Sequence, residues 1–166
     1  ARRRSGLRAR GVCENRRPGG RGVIGGLGLG YTLRSALELL PKSGTAVQVE
    51  LVAEIVAWNR GPLGKLADHP LDDPRTELAV DDVAKVIRHA RNEFDAIMLD
   101  VDNGPSALVD ERNGWLYTDD GLQAIRRALK PGGGVARWYA DDGPPFPSRK
   151  PRTGYHSDRH ASPAHR

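Results

Sequence analysis

The 166-residue sequence has a single cysteine, Cys13, so no internal disulfide can staple the chain. No apolar run approaches the roughly 20 residues of a membrane-spanning helix. The arginine-rich start is followed by no apolar stretch of the kind that marks a secretory signal. Aromatic residues make up 5% of the chain and none falls within residues 1–22, which removes the stacking platforms that a single-stranded nucleic acid would use. The five histidines show no metal-ligand spacing; His156 and His160 stand four apart, but in a stretch rich in Pro, Arg and Ser where no helix would align them. No Ser-His-Asp or Cys-His arrangement is visible. The expectation is a cytoplasmic protein without membrane contact, metal or nucleic-acid partner, and at 18.1 kDa it is long enough for one domain with a real core.

Charge is unevenly spread. Residues 1–22 carry +7, residues 137–166 carry +3, and the middle carries −5, which together give the net +5. The ends have few apolar groups and no period, and cannot bury enough surface to offset chain entropy. They are read as a disordered basic extension over 1–21 and a Pro/Arg/His-rich tail over 141–166, flanking a domain at 22–140.

That domain is organised around Val23 to Arg34, Val-Ile-Gly-Gly-Leu-Gly-Leu-Gly-Tyr-Thr-Leu-Arg. β-branched residues run into glycines, and helical spacing then begins at Leu33, Ala36, Leu37 and Leu40: strand, tight turn, helix. Gly26, Gly28 and Gly30 let the backbone approach a ligand, and the helix that follows points unpaired N–H groups at whatever the turn holds. A dinucleotide fingerprint would require glycine where Tyr31 stands, and a P-loop would require a lysine after Gly30. What remains is G-x-G-x-G, a turn commonly associated with nucleoside ligands such as S-adenosylmethionine. By itself such a turn is often only a turn.

Downstream, Thr45 to Glu50 reads as a second strand ending in an acid. Glu50 stands about twenty residues beyond the glycines, where a strand-end carboxylate accepts hydrogen bonds from a ribose diol; its plainer role is that of an acid at a helix N-terminus. Val52 to Asn59 reads as a helix and Gly61 to Asp73 as loop, with Leu63 and Leu66 packing down. Arg75 to Val80 is a third strand, followed by Asp81-Asp82, one of which caps a helix starting at Val83. Phe94 to Asp100 is a continuous apolar strand of the kind buried on both faces. Thr118 caps a helix carrying Leu122, Ile125 and Leu129 on one face, Lys130-Pro131-Gly132-Gly133 stops it, and Val135 to Ala140 forms a fifth strand. Trp58, Trp115 and Trp138 are read as packing residues. Strands alternating with helices predict an α/β, doubly wound, mostly parallel sheet, whose ligands lie at the carboxyl ends of the strands. Those ends hold the glycine turn, Glu50, Asp81-Asp82 and Asp100.

The succession Ile-Gly-Gly-Leu-Gly-Leu-Gly, Val-Glu-Leu-Val, Asp-Pro-Arg ahead of Val-Asp-Asp, Phe-Asp-Ala-Ile-Met-Leu-Asp, Gly-Pro, Leu-Tyr-Thr and Leu-Lys-Pro-Gly-Gly resembles the spermidine synthase family, and more broadly the Rossmann-like class I S-adenosylmethionine-dependent methyltransferase fold. The resemblance covers about Val23 to Ala140. It implies that Gly26, Gly28 and Gly30 cradle S-adenosylmethionine or its decarboxylated form as co-substrate. Glu50 would hold the ribose hydroxyls, and Asp82, with Asp81 beside it, would contact the adenine amino group. Asp100 matches the acid that takes the proton of an attacking amine, a step that needs position and a base. Asp102 would attract the amine substrate and Tyr117 would wall its channel. A homodimer is among the expected partner states.

The chain also departs from the family pattern. Leu29 stands where spermidine synthases usually have an Asp that binds the aminopropyl ammonium. The Asp-x-x-Asp-Pro-x-Gly-Pro motif is shortened to Asp100-Val-Asp102-Asn-Gly-Pro, and patterning stops outside 23–140, as in a domain truncated at both ends. Two further readings stay open: a small-molecule methyltransferase, favoured by Leu29, and a non-catalytic or vestigial nucleoside-binding protein.

Overall fold

Apolar residues at alternate positions of neighbouring strands face opposite sides of one sheet, and this alternation builds two cores. The computed structural model describes residues 18–101 and 114–137. Within them run β1 (Arg21–Gly25), α1 (Tyr31–Leu39), β2 (Thr45–Glu50), α2 (Ala53–Arg60), two 3-10 turns (Gly64–Ala67 and Pro70–Asp72), β3 (Thr76–Val80), α3 (Val83–His89), β4 (Phe94–Leu99), a further 3-10 turn (Trp115–Tyr117), α4 (Asp119–Ala128) and β5 (Leu129–Arg137). Residues 1–17 of the basic stretch, the tail over 141–166, Cys13, Asp102 and Trp138 lie outside the described residues. Among the described residues no helix is long and apolar enough to cross a membrane.

All five strands pair in parallel, in the order β3-β2-β1-β4-β5. On one face Val23, Val49 and Ile97 meet Ile87 of α3 and Ile125 of α4. On the other face Ile24, Ala46 and Met98 meet Leu33 and Leu37 of α1 and Val56 of α2. Each fully buried aliphatic side chain of this size contributes on the order of 1.5–3 kcal/mol. The first two crossovers carry the chain outward from β1 to β3; the third returns it to the far side of β1, and the helices change face there. This is the expected Rossmann-like, doubly wound arrangement, and its switch point lies between β1 and β4.

Four local expectations are corrected. Strand pairing of β5 begins at Leu129, opposite Phe94, and not at Val135. The helix ends at Ala128 because Asn92 and Glu93 donate their N–H groups to the Arg127 and Ala128 carbonyls, each at 2.8 Å. The Lys130-to-Gly133 stretch, read as a helix stop, is a bulge within the strand: the register shifts between Phe94 and Ala96, Gly132 takes φ 79, and Lys130 Nζ donates to Asp95 Oδ2 at 2.8 Å. Leu66, expected to pack down, is 44% exposed, and Trp58, read as a packing residue, is 54% exposed on α2. Helical spacing marks a face, but only the neighbours decide whether that face is covered.

The C-terminal end of α1 is closed from a distance. Arg75 Nη1 donates to the Leu37 and Leu40 carbonyls, each at 3.0 Å, while Nε and Nη2 grip Asp73 at 2.9 and 2.7 Å. The guanidinium hydrogen bonds hold the Asp73 carboxyl below its ordinary range. Arg75→Met is expected to lower stability by about 2–3 kcal/mol, read from the denaturant midpoint. A carboxyl with a lowered folded value stabilises above its unfolded pKa. The Asp73 contribution is therefore fully present above about pH 4 and is lost as the pH falls through that depressed value, a loss the Arg75→Met variant does not show.

Candidate active site

The ends of β1, β2 and β4 are tied together by two backbone bonds. Gly26 N donates to Val49 O and Asp100 N donates to Gly25 O, each at 2.9 Å. Beyond them, with the helices that follow β1 and β4 on opposite faces, lies a cleft of about 480 Å³, within the roughly 300–1,000 Å³ usual for small-molecule sites. Gly26, Gly28, Glu50, Asp81, Asp82 and Asp100 all line it. Six of the sequence-predicted residues, spread over the ends of four strands, therefore meet in one place.

The glycines serve different ends. Gly26 has φ 85, and a Cβ there would run into the Asp100 carbonyl oxygen, so the packing of the strand ends already demands glycine. Gly28 has φ 50, and a Cβ there would meet nothing within 4 Å; its outer side is open to the cleft. Gly30 is the N-cap of α1. It faces Pro70 and Ala67 of the 3-10 turns and is not among the cleft-lining residues.

Glu50, 6% exposed, accepts hydrogen bonds from Leu27 N at 2.7 Å and Val52 N at 2.9 Å, one on each carboxylate oxygen. The carboxylate thereby clamps the glycine turn to the end of β2, and the two donors offset the cost of burying it. Of the two adjacent acids, Asp82 is the cap of α3: its Oδ1 accepts from Ala84 N at 2.8 Å. Asp81 Oδ1 accepts from Asp82 N at 2.7 Å and from Lys85 Nζ at 3.2 Å. The backbone N–H, then the ammonium, hold its carboxyl below the usual range. Asp100 Oδ2 accepts from Thr32 Oγ1 at 2.5 Å. Asp102 lies outside the described residues. Tyr117 packs against the core beside α3 and α4 and is not among the residues lining the cleft; in the same 3-10 turn Trp115 lies under the Arg88 guanidinium, 3.8 Å from the ring centroid.

Two polar residues not singled out from the sequence support the site. Thr32 lines the cleft from the first turn of α1. Asn59, buried at the end of α2, donates from Nδ2 to Gly28 O at 2.8 Å and to Ile55 O at 2.9 Å, fixing the turn from beneath. A threonine two places after the last glycine was the available signal for the first; nothing local marks the second. Among the described lining residues there are four carboxylates and no Lys, Arg or His, a field that favours a cationic ligand. Among the described residues no group of His, Cys, Asp and Glu could hold a metal ion.

The family model for the spermine/spermidine synthase domain matches residues 12–137. The chain is 36% identical over 113 residues to a polyamine aminopropyltransferase from Nitrosomonas europaea, covering 67% of this chain and 32% of that protein. It is also 36% identical over 111 residues to one from Thermotoga petrophila, covering 67% and 35%. The chain thus spans about a third of the length of the curated relatives it matches. Among solved structures it is similar to the spermidine synthase of Thermotoga maritima, with TM-score 0.65 and 27% identity over 80% of this chain and 42% of that one. It is also similar to a spermidine synthase in complex with the transition state analogue AdoDATO, with TM-score 0.59 and 27% identity over 76% and 39%. A match that runs from before β1 to the end of β5 places this chain in the spermine/spermidine synthase domain family.

Proposed function

We propose that the chain binds decarboxylated S-adenosylmethionine in the cleft and transfers its aminopropyl group to an amine. The observation that carries this reading is the gathering of Glu50, Asp82 and Asp100 around one cleft beside the open face of Gly28. Each Glu50 oxygen has a lone pair left after its backbone bond, suited to the ribose hydroxyls. Asp82 Oδ2 suits the adenine amino group, since Oδ1 is taken by the cap. The sulfonium, and the ammonium that the decarboxylated nucleoside carries without a carboxylate beside it, suit the acidic field of Glu50, Asp81, Asp82 and Asp100, which supports the decarboxylated form.

The reaction follows from this placement. The amine lone pair attacks the methylene carbon next to sulfur, the carbon–sulfur bond breaks with its electrons going to sulfur, and a neutral thioether leaves. The nitrogen becomes cationic as the new bond forms, and Asp100 accepts its proton. Asp102 and Tyr117 are proposed to receive the amine, on the family resemblance alone.

A second reading, methyl transfer to a small molecule, is favoured by Leu29, whose apolar side chain is 46% exposed on the cleft wall where the family usually has an acid for the aminopropyl ammonium. Calorimetry separates the two. Binding of the decarboxylated nucleoside about 10-fold or more tighter, a difference of roughly 1.4 kcal/mol, is the expected result; tighter binding of the carboxylated form would replace the first reading by the second.

Asp100→Asn is expected to lower kcat for conversion of putrescine to spermidine about 100- to 10,000-fold while leaving nucleoside binding measurable; an unchanged rate would remove Asp100 from the chemistry. The glycines give a separate check by differential scanning. Gly28→Val is expected to weaken nucleoside binding about 10-fold or more with a strain cost of roughly 1–2 kcal/mol. Gly26→Ala is expected to lower the melting temperature further, because its Cβ meets the Asp100 backbone.

A further inference from the structure

Thr32 occupies a position that helix formation alone does not explain. It is in the first turn of α1, 6% exposed, where a threonine ordinarily turns its hydroxyl to nearby backbone. Here Oγ1 donates instead to the carboxylate of Asp100, 68 residues away. Helix α1 begins at Gly30, which supplies no side-chain cap, and there is no acid in its first turn. Asp100 thus brings to the positive end of this helix the negative charge that its own sequence omits.

Asp100 stands in a cleft with other acids. Among the described residues, Glu50 from the end of β2, Asp81 and Asp82 ahead of α3, and Tyr31 from α1 are the titratable groups that share the cleft with it. Like charges raise a carboxyl pKa, and a hydroxyl bonded to the ionised form lowers it. A carboxylate bonded through Oδ2 also has the plane of its oxygens fixed.

We propose that Thr32 is a positioning residue for Asp100: its hydroxyl sets the orientation of that carboxylate and keeps it ionised among the neighbouring acids, ready to take the proton of the incoming amine. This rests on the reading of Asp100 as the proton acceptor given above. Thr32 acts through Asp100, and its effect is on the protonation and aim of that base.

The test is a carbon-detected NMR titration of the Asp100 carboxyl in the full chain, its resonance assigned by its loss in Asp100→Asn, alongside the pH profile of aminopropyl transfer. Thr32→Val removes the donor at nearly constant volume. It is expected to raise the Asp100 midpoint by about 1 pH unit or more, the equivalent of one hydrogen bond to a charged group, and to move the acid limb of kcat/KM upward by the same amount. Thr32→Ser is expected to restore both. If Thr32→Val does not fold, Thr32→Ala provides the same comparison. An Asp100 midpoint that is the same in wild type, Val or Ala, and Ser variants overturns the proposal whatever the activity. A midpoint that moves as expected in a protein that transfers no aminopropyl group at any pH upholds the positioning role and overturns the reading of the reaction.

Discussion

The site depends on how three parallel strand ends are locked beside one another. Gly25 lies opposite Val49 on one side and Leu99 on the other, and the bonds from Gly26 N and Asp100 N extend that register one residue past the sheet. The helices that follow β1 and β4 pack on opposite faces of the sheet, which leaves a crevice at the strand ends between them. The gap is therefore a product of strand order, and the groups lining it stand within a few residues of the last sheet bonds. A slip of one residue in either pairing would exchange the two faces of a strand, burying aliphatic side chains where Glu50 and Asp100 now stand.

Polar groups at the end of an otherwise apolar sheet have to be compensated, and the way this is done also shapes the cleft. Glu50 is satisfied by two backbone N–H groups from two different loops, so the bonds that make its burial tolerable also hold the glycine turn against the loop ahead of α2. Charge-assisted bonds of this kind contribute roughly 1.5–3 kcal/mol each. Asn59 fixes the same turn from the other side through Gly28 O, and Asp82 is held by its own helix. The cleft is thus built from groups whose orientation is set before any ligand arrives, the condition under which fixed charges and dipoles act most strongly on a reaction.

Most of the fold could be read from the residues. Thr45–Glu50 is bounded by its alternation and its closing acid, and the run from Phe94 to Asp100, strand over Phe94–Leu99 in the structure, is marked by a continuous apolar stretch suited to a strand covered on both faces. The start of β5 could not be read, because Lys130-Pro131-Gly132-Gly133 has the composition of a turn and becomes strand only through Phe94 and Asp95 on the neighbouring strand. Trp58 shows the same limit from the surface: a large apolar side chain at helical spacing looks like core, and nothing in the sequence says that no partner stands over it. For the site, the acids at the strand ends were visible because topology puts every such end on one side of a parallel sheet. Thr32 and Asn59 were not, since their roles consist of bonds to residues 68 and 31 positions away.

Sequence alone determined the parallel doubly wound sheet, the glycine turn and the identity of the acids that end its strands, because periodicity, glycine placement and strand-end position are local properties written in neighbouring residues. Tertiary structure alone decided which glycine opens onto the cleft, which of two adjacent acids is used up as a cap, and which hydroxyl holds Asp100. Those outcomes depend on distances between segments far apart in the chain, and such distances exist only once strand order and register have brought the segments together.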